Sequence, residues 1–477
     1  MAACTAGDLV LEHRRLRRIA LAADANHPGS ASPSKSPARQ LQPSGQLPLE
    51  RATRSLSSPG LLYGLCILPA LFLRSSYASF VSHAMAWSML GLLTTLLAYL
   101  TRLCPPRLLS RAFQLALIAH LVTPSNPWTV IALALTAAPT LLYAFPRAFA
   151  LGEVLAVSTA LVLVADSLRA RPHAAHVVVA AMQHLALGTA TAAAVAAPWV
   201  KRLMSLSKGK GKPEQMVRER RRATVGLYLV LAGVVGGLIT PLMYVRSGYE
   251  PWTWVIGYIA SSRAHMLMTA YWLFVLSLGF TFFPWRRSAN TQRKTYHLLA
   301  IAILLPGYLW TPVFLSLALT VALSAFVFAE LLRLAQAPPL GPLLESALGT
   351  FRDHRDEALV LTSHVYLLLG LALPVWVGVI EGTWRAGLAG MAALGVGDAV
   401  ASLVGRRFGT WRWFPGCDKS VQGSAGFVAG TLAFFVAVGE PLTLPLVGAV
   451  VATAGVEAVS SQFDNFVVPL VMLLTIM

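Results

Sequence analysis

The chain has 477 residues, of which 56% are hydrophobic and only 12% charged, with a mean hydropathy of +0.64; soluble domains carry roughly a quarter charged residues, so a water-soluble globular protein is excluded. Lys and Arg number 38 against 20 Asp and Glu, a formal charge of +18. The basic residues fall in loops between apolar runs and do not interleave with aromatics along a polar surface, which points to anionic lipid headgroups and not to nucleic acid.

The apolar runs approach the roughly 20 residues that cross a bilayer as a helix. Examples are SHAMAWSMLGLLTTLLAYL, TVGLYLVLAGVVGGLITPLMYV and ALVLTSHVYLLLGLALPVWVGVI. They do not alternate as the strands of a membrane barrel do. The expected fold is therefore an all-α polytopic integral membrane protein with about thirteen to fifteen transmembrane helices. The cysteines, Cys4, Cys66, Cys104 and Cys417, have no paired spacing that suggests a disulfide framework or a zinc site.

In chain order, residues 1–56 are rich in Ala, Ser, Pro and Arg and read as a disordered basic N-terminal tail. Asp8, Glu12 and Asp24 stand against a transit peptide, and the tail lacks the apolar core of a signal peptide. Residues 57–222 read as N-terminal membrane helices, with Glu153 and Asp166 as isolated polar positions, ending in the basic loop KRLMSLSKGKGKPEQMVRERRR. The excess of Lys and Arg places that loop in the cytosol. Residues 223–477 form a C-terminal membrane domain. Counting spans two at a time from the loop reaches RRSANTQRKTYH, then APPLGPLLESALGTFRDHRDE, then RRFGTWRWFPGCDKSVQGS and finally VEAVSSQFDN. These polar segments are thus expected at one face, as a site assembled from separate loops requires.

In that C-terminal domain Gly397, Ala401 and Gly405 recur at every fourth position, a stripe that lets a second helix approach closely. The stripe does not explain Asp398, about two turns inside the same span and flanked by Ser402. An ionisable group there is costly and is a functional candidate by default. CDKSVQGS offers Lys419, the hydroxyls of Ser420 and Ser424, and Gly423, which lets backbone N–H groups approach an anion. It is not a Walker A loop. RKTYH sets Arg293, Lys294 and His297 within about one turn, and DHRDE supplies Asp353, Arg355 and Asp356. Glu457, Ser461 and Asp464, at i, i+4 and i+7, would share one helical face. Paired acids suit Mg²⁺, which takes carboxylates together with phosphate oxygens and water. Glu330 and His364 are further intramembrane polar groups. Without a Ser-His-Asp order, an H-E-x-x-H or a C-x-x-C, a hydrolase or zinc enzyme has no footing. The set suggests transfer between a nucleotide and a lipid. A membrane transporter is the alternative from another class, with Asp398, Glu330 and His364 lining a path, although the 395–424 pattern has no repeat upstream.

GVGDAVASLVGRRFG followed by KSVQGS resembles the signature of the polyprenol kinase family, whose members include dolichol kinase and phytol kinase. RKTYHLLA, FRDHRDEALVLTSHVYLLLGLALPVW and QFDNFVVPL look like the accompanying segments of the dolichol kinase branch, in the same order, over roughly residues 290 to 477. The chain departs from the pattern where Asp418 and Lys419 replace paired lysines, Gln422 replaces Glu, and Ser363, Ser420 and Ser424 replace Thr. The hydroxyl exchanges keep donors and acceptors. The resemblance implies a multi-pass enzyme of the endoplasmic reticulum membrane, with its site facing the cytosol. It would use CTP as co-substrate and a divalent cation, Mg²⁺ or Ca²⁺, to phosphorylate the terminal hydroxyl of dolichol. On this reading Lys419, Ser420, Gly423 and Ser424, with Arg293 and Lys294, contact the nucleotide. Asp398 and Lys419 are catalytic, and Asp398, Glu457 and Asp464 are the metal candidates. A plastid phytol or farnesol kinase is the alternative within the same family.

Overall fold

The computed structural model describes residues 106–123, 126–144, 177–207, 213–282, 289–348, 362–414, 417–459 and 464–477, with scattered positions between 91 and 162. The expected tail at 1–56, Glu153, Asp166 and the DHRDE segment lie outside the described residues. Among the described residues every regular element is a helix, apart from an isolated β-bridge between Arg412 and Ser420.

In chain order the helices are α1 (Pro106–Val122), α2 (Pro127–Ala144), α3 (Val177–Leu206) and α4 (Pro213–Val234), which continues through a π-helical turn into α5 (Thr240–Ser247). Next come α6 (Pro251–Ala260), α7 (Arg263–Phe282), α8 (Ala289–Trp310), α9 (Pro312–Ala335), α10 (Leu340–Leu348) and α11 (Thr362–Glu381). Then α12 (Trp384–Gly390) runs through a second π-helical segment, Met391–Asp398, into α13 (Ala399–Phe408), followed by α14 (Val421–Ala437), α15 (Leu444–Val459) and α16 (Asp464–Ile476). Four runs, Val177–Leu206, Glu214–Val245, Pro312–Ala335 and Trp384–Phe408, are long and apolar enough to cross a bilayer, and seven apolar helices of 10–17 residues accompany them. The protein is an all-α polytopic membrane protein.

Prolines inside these helices show how the sequence meets the demands of lipid. A proline lacks an N–H and frees the carbonyl four residues earlier, which must then be satisfied within the protein. Pro198 of α3 frees the carbonyl of Ala194, and Gln114 of α1 donates to it at 2.5 Å. Pro306 of α8 frees that of Ala302, and the Tyr271 hydroxyl of α7 donates to it at 2.7 Å. The neighbouring Trp272 indole donates to Ile303 at 2.9 Å. Pro374 and Pro469 free the carbonyls of Gly370 and Asn465, which lie against Gly390 and Gly370 respectively. Without a side chain on the glycine, these backbones approach closely enough for Cα–H contacts to the carbonyl.

Contacts at the helix ends sort the connections onto two faces. On one, Arg220 near the start of α4 donates to the Gln336 carbonyl just past α9 at 3.1 Å, and Lys419, between α13 and α14, reaches Glu457 and Asp464 at the ends of α15 and α16. On the other, the Tyr308 hydroxyl donates to the Trp384 carbonyl at 2.9 Å and Arg385 pairs with Glu440 at 2.7 Å. The loop carrying Lys419 and the facing ends of α15 and α16 thus meet at one end of the bundle. Exposed aromatics mark both levels, with Tyr249, Trp252 and Trp310 at the second face and Phe408, Trp411 and Trp413 at the first, as in the interfacial belts of membrane proteins.

Below the first face the small-residue stripe is the seam between α13 with its π-helical lead and α14. A β-carbon on Gly397 would lie 2.7 Å from Phe427 and from the Thr431 hydroxyl, and one on Gly426 would lie 2.9 Å from Val404. The seam is continuous with a core of Tyr308, Tyr366, Phe427, Phe435 and Met472, all almost fully buried. Glu330, an isolated acid in the sequence, is neutralised here by a bidentate pair with Arg333, both distances 2.7 Å, and Arg333 also holds Glu345 at 2.5 Å.

These close approaches carry a stability prediction. Gly370→Ala drives a β-carbon into the backbone carbonyl of Asn465, which cannot rotate away, and should cost about 1–3 kcal/mol. Gly448→Ala in α15 meets nothing within 4 Å and should be neutral or stabilising by up to about 1 kcal/mol. Thermal unfolding of both variants in detergent decides the contrast.

Candidate active site

The loop between α13 and α14 is folded back on itself, and this sets where Lys419 points. Val421 donates to the Trp411 carbonyl at 2.9 Å, and Arg412 donates to the Asp418 carbonyl. Gln422 ties both sides of the loop: its amide donates to the Thr410 hydroxyl at 2.7 Å and accepts from the Trp411 N–H at 3.2 Å. Ser420 caps α14 by accepting from the Gly423 N–H at 3.1 Å, a preferred N-cap arrangement. The Trp413 indole donates to the Ser424 hydroxyl at 3.0 Å. Ser420, Gly423 and Ser424 are thus beside Lys419, as the sequence reading placed them, with these groups engaged in shaping the turn.

Held by this turn, the Lys419 ammonium reaches across to α15 and α16. It lies 2.6 Å from Glu457 Oε1 and 3.1 Å from Asp464 Oδ2, and donates to the Glu457 carbonyl at 2.5 Å. Burial opposes its charge, but the fields of Asp464, Glu457 and then Asp398 outweigh that and hold it above the usual lysine range. Raising a lysine's value in the folded state favours the charged form, so the stabilisation is complete below the unfolded value, near 10.4, and lost only above it.

Glu457 and Asp464 were expected on one continuous helical face. They are instead on two helices, since α15 ends at Val459 and α16 begins at Asp464. The two helices pack against each other, and the carboxylates meet with one ammonium between their helix ends. Ser461 falls in that connection, outside the described residues.

Asp398 terminates the π-helical segment that interrupts the span Trp384–Phe408. Such segments recur at functional sites because they redirect side chains without ending a helix. Its carboxylate oxygen Oδ2 is 3.7 Å from Nδ1 of His297 on α8. The structure therefore brings Asp398, Lys419, Glu457 and Asp464 together and adds His297, which the sequence placed only beside the RK pair. Arg293 and Lys294 are on the first turns of α8; their side chains, and that of His364, lie outside the described residues.

Glu457 and Asp464 contact the ammonium directly, and the field of Asp398 also reaches it. The carboxylates present hard oxygen donors, and Asp464 Oδ1 is buried without a hydrogen-bond partner. Among the described residues no three or more His, Cys, Asp or Glu side chains are grouped so as to hold a metal ion, so Asp398, Glu457 and Asp464 do not form the three-carboxylate metal site expected from the sequence.

Comparison with known proteins places the chain among relatives of one kind. It is 34% identical over 239 residues to the dolichol kinase EVAN of Arabidopsis thaliana, covering 46% of this chain and 42% of that protein. It is 28% identical over 270 residues to the human dolichol kinase, half of each chain, and 30% identical over 190 residues to that of Saccharomyces cerevisiae, 39% of this chain and 35% of that protein. The chain spans about half or less of the length of these curated relatives. No family model and no solved structure matches it.

The Lys419 network has a measurable consequence. Lys419→Met leaves the buried Glu457 beside Asp464 without a counter-charge, and removing one partner of a buried pair typically costs about 3–5 kcal/mol. Thermal unfolding in detergent should show that loss, and Glu457→Gln with Asp464→Asn in the same chain should recover most of it.

Proposed function

We propose that this chain, a relative of the dolichol kinases by sequence, transfers the terminal phosphoryl group of CTP to the terminal hydroxyl of dolichol. It acts at the cytosolic face of the endoplasmic reticulum membrane, and its product, dolichyl phosphate, supplies protein N-glycosylation. The observation that carries the reading is the convergence of Asp398, Lys419, Glu457 and Asp464 from separate segments at one face of a membrane bundle. A water-soluble donor and a membrane-dissolved alcohol can both reach such a place.

The chemistry asks for little more than position and charge, since phosphoryl transfer is chiefly orientation and electrostatic stabilisation. The prenol oxygen bonds to the terminal phosphorus, the bond from that phosphorus to the departing CDP oxygen breaks, and the hydroxyl proton passes to the Asp398 carboxylate. Glu457 and Asp464 would be the acids to hold a divalent cation, which would offset charge on the phosphate oxygens. Lys419 fixes those two acids relative to each other and brings a positive charge to the phosphates. The turn made by Ser420, Gly423, Ser424 and Gln422 keeps Lys419 in place.

The test uses membranes containing the protein, supplied with dolichol and γ-labelled CTP or γ-labelled ATP. Label should enter a dolichyl monophosphate from CTP alone. Asp398→Asn should lower turnover by about 10²–10⁴-fold, the usual weight of a general base, without loss of folded protein. A folded preparation that labels no prenol would sink the kinase reading and leave transport as the alternative.

A further inference from the structure

His297 is buried, 7% exposed, and its Nδ1 faces Asp398 Oδ2 across 3.7 Å. A buried imidazole is costly unless its polar atoms are used, whereas an aliphatic side chain would fill the space without that cost. The two elements involved are held rigidly. Gly395, three residues before Asp398, packs so closely on Ile301 of α8 that a β-carbon would lie 2.6 Å from it. Tyr271 and Trp272 of α7 pin the next turn of α8 through the carbonyls of Ala302 and Ile303. The imidazole therefore approaches the carboxylate from a fixed direction, while the field of Lys419 reaches the same carboxylate from the loop.

We propose that His297 is a positioning residue for Asp398, its Nδ1–H holding Oδ2 so that the second oxygen faces the prenol hydroxyl. The inference rests on the kinase reading above. At 3.7 Å the pair is longer than a hydrogen bond, and contacts of this kind are often long before substrate binds and shorten in the complex. His297 acts through Asp398 and takes no proton from the lipid itself.

The experiment compares three variants of the full chain in proteoliposomes, reading kcat, both KM values and thermal stability. In His297→Asn the amide takes the place of Nδ1; in His297→Gln it takes that of Nε2; in His297→Leu only the volume remains. His297→Asn should stay within about tenfold of the parent, whereas His297→Gln and His297→Leu should lose about 100-fold in kcat, the scale of a misplaced reacting group, with both KM values and the unfolding temperature little changed. Parent-like kcat in His297→Leu overturns the inference, as does equal loss in His297→Asn and His297→Gln. If His297→Leu does not fold, the comparison of Asn with Gln decides alone. An inactive parent protein, by contrast, sinks the kinase reading itself, so the two failures are distinct.

Discussion

A carbonyl or carboxylate inside a bilayer has no water to turn to, so each polar group drawn into the span must find its partner within the protein. Much of this structure answers that constraint. Gln114 and Tyr271 cap carbonyls freed by prolines in neighbouring helices, and the backbones of Gly370 and Gly390 lie close against two more. Arg333 takes both oxygens of Glu330. The same pressure shapes the site, where Lys419 is the counter-ion that makes Glu457 tolerable at the end of α15.

Seen in this way, Lys419 differs from the lysine of a phosphate-binding loop. Its contacts are to Glu457 Oε1, the Glu457 carbonyl and Asp464 Oδ2, so its charge is already shared. Its first task is to hold two helix ends together. That role also accounts for the effort spent on its own loop, in which Gln422, Ser420 and Trp413 each tie the chain down. Gln422, where the resemblance would have Glu, suits this work because an amide donates to Thr410 while accepting from Trp411. A carboxylate at that position would have nothing to donate.

Composition and apolar run length were enough for the fold class. Asp398 stood out because an acid among Gly, Ala and Val has no packing role, and the stripe of Gly397, Ala401 and Gly405 correctly implied a close helix seam. Other features had no local signature. The π-helical segment ending at Asp398 packs against α8 and α14, and no residue type announces it. The meeting of Lys419 with Asp464, 45 residues apart, and of His297 with Asp398 depends on tertiary placement that periodicity does not encode. Treating Glu457 and Asp464 as one helical face failed for a related reason: i, i+7 spacing is the same whether the two residues share one helix or sit on two.

The cluster lies at the ends of membrane helices, where Lys419 meets the last turn of α15 and the first residue of α16. On the proposed reading this fixes how the two substrates are counted. One is dissolved in a volume of water and the other in an area of lipid, so the rate follows nucleotide molarity on one side and the mole fraction of prenol in the membrane on the other. Adding inert lipid or detergent at constant total prenol then thins the second substrate while leaving the first unchanged. The enzyme would slow by surface dilution alone, with no change at Asp398 or Lys419.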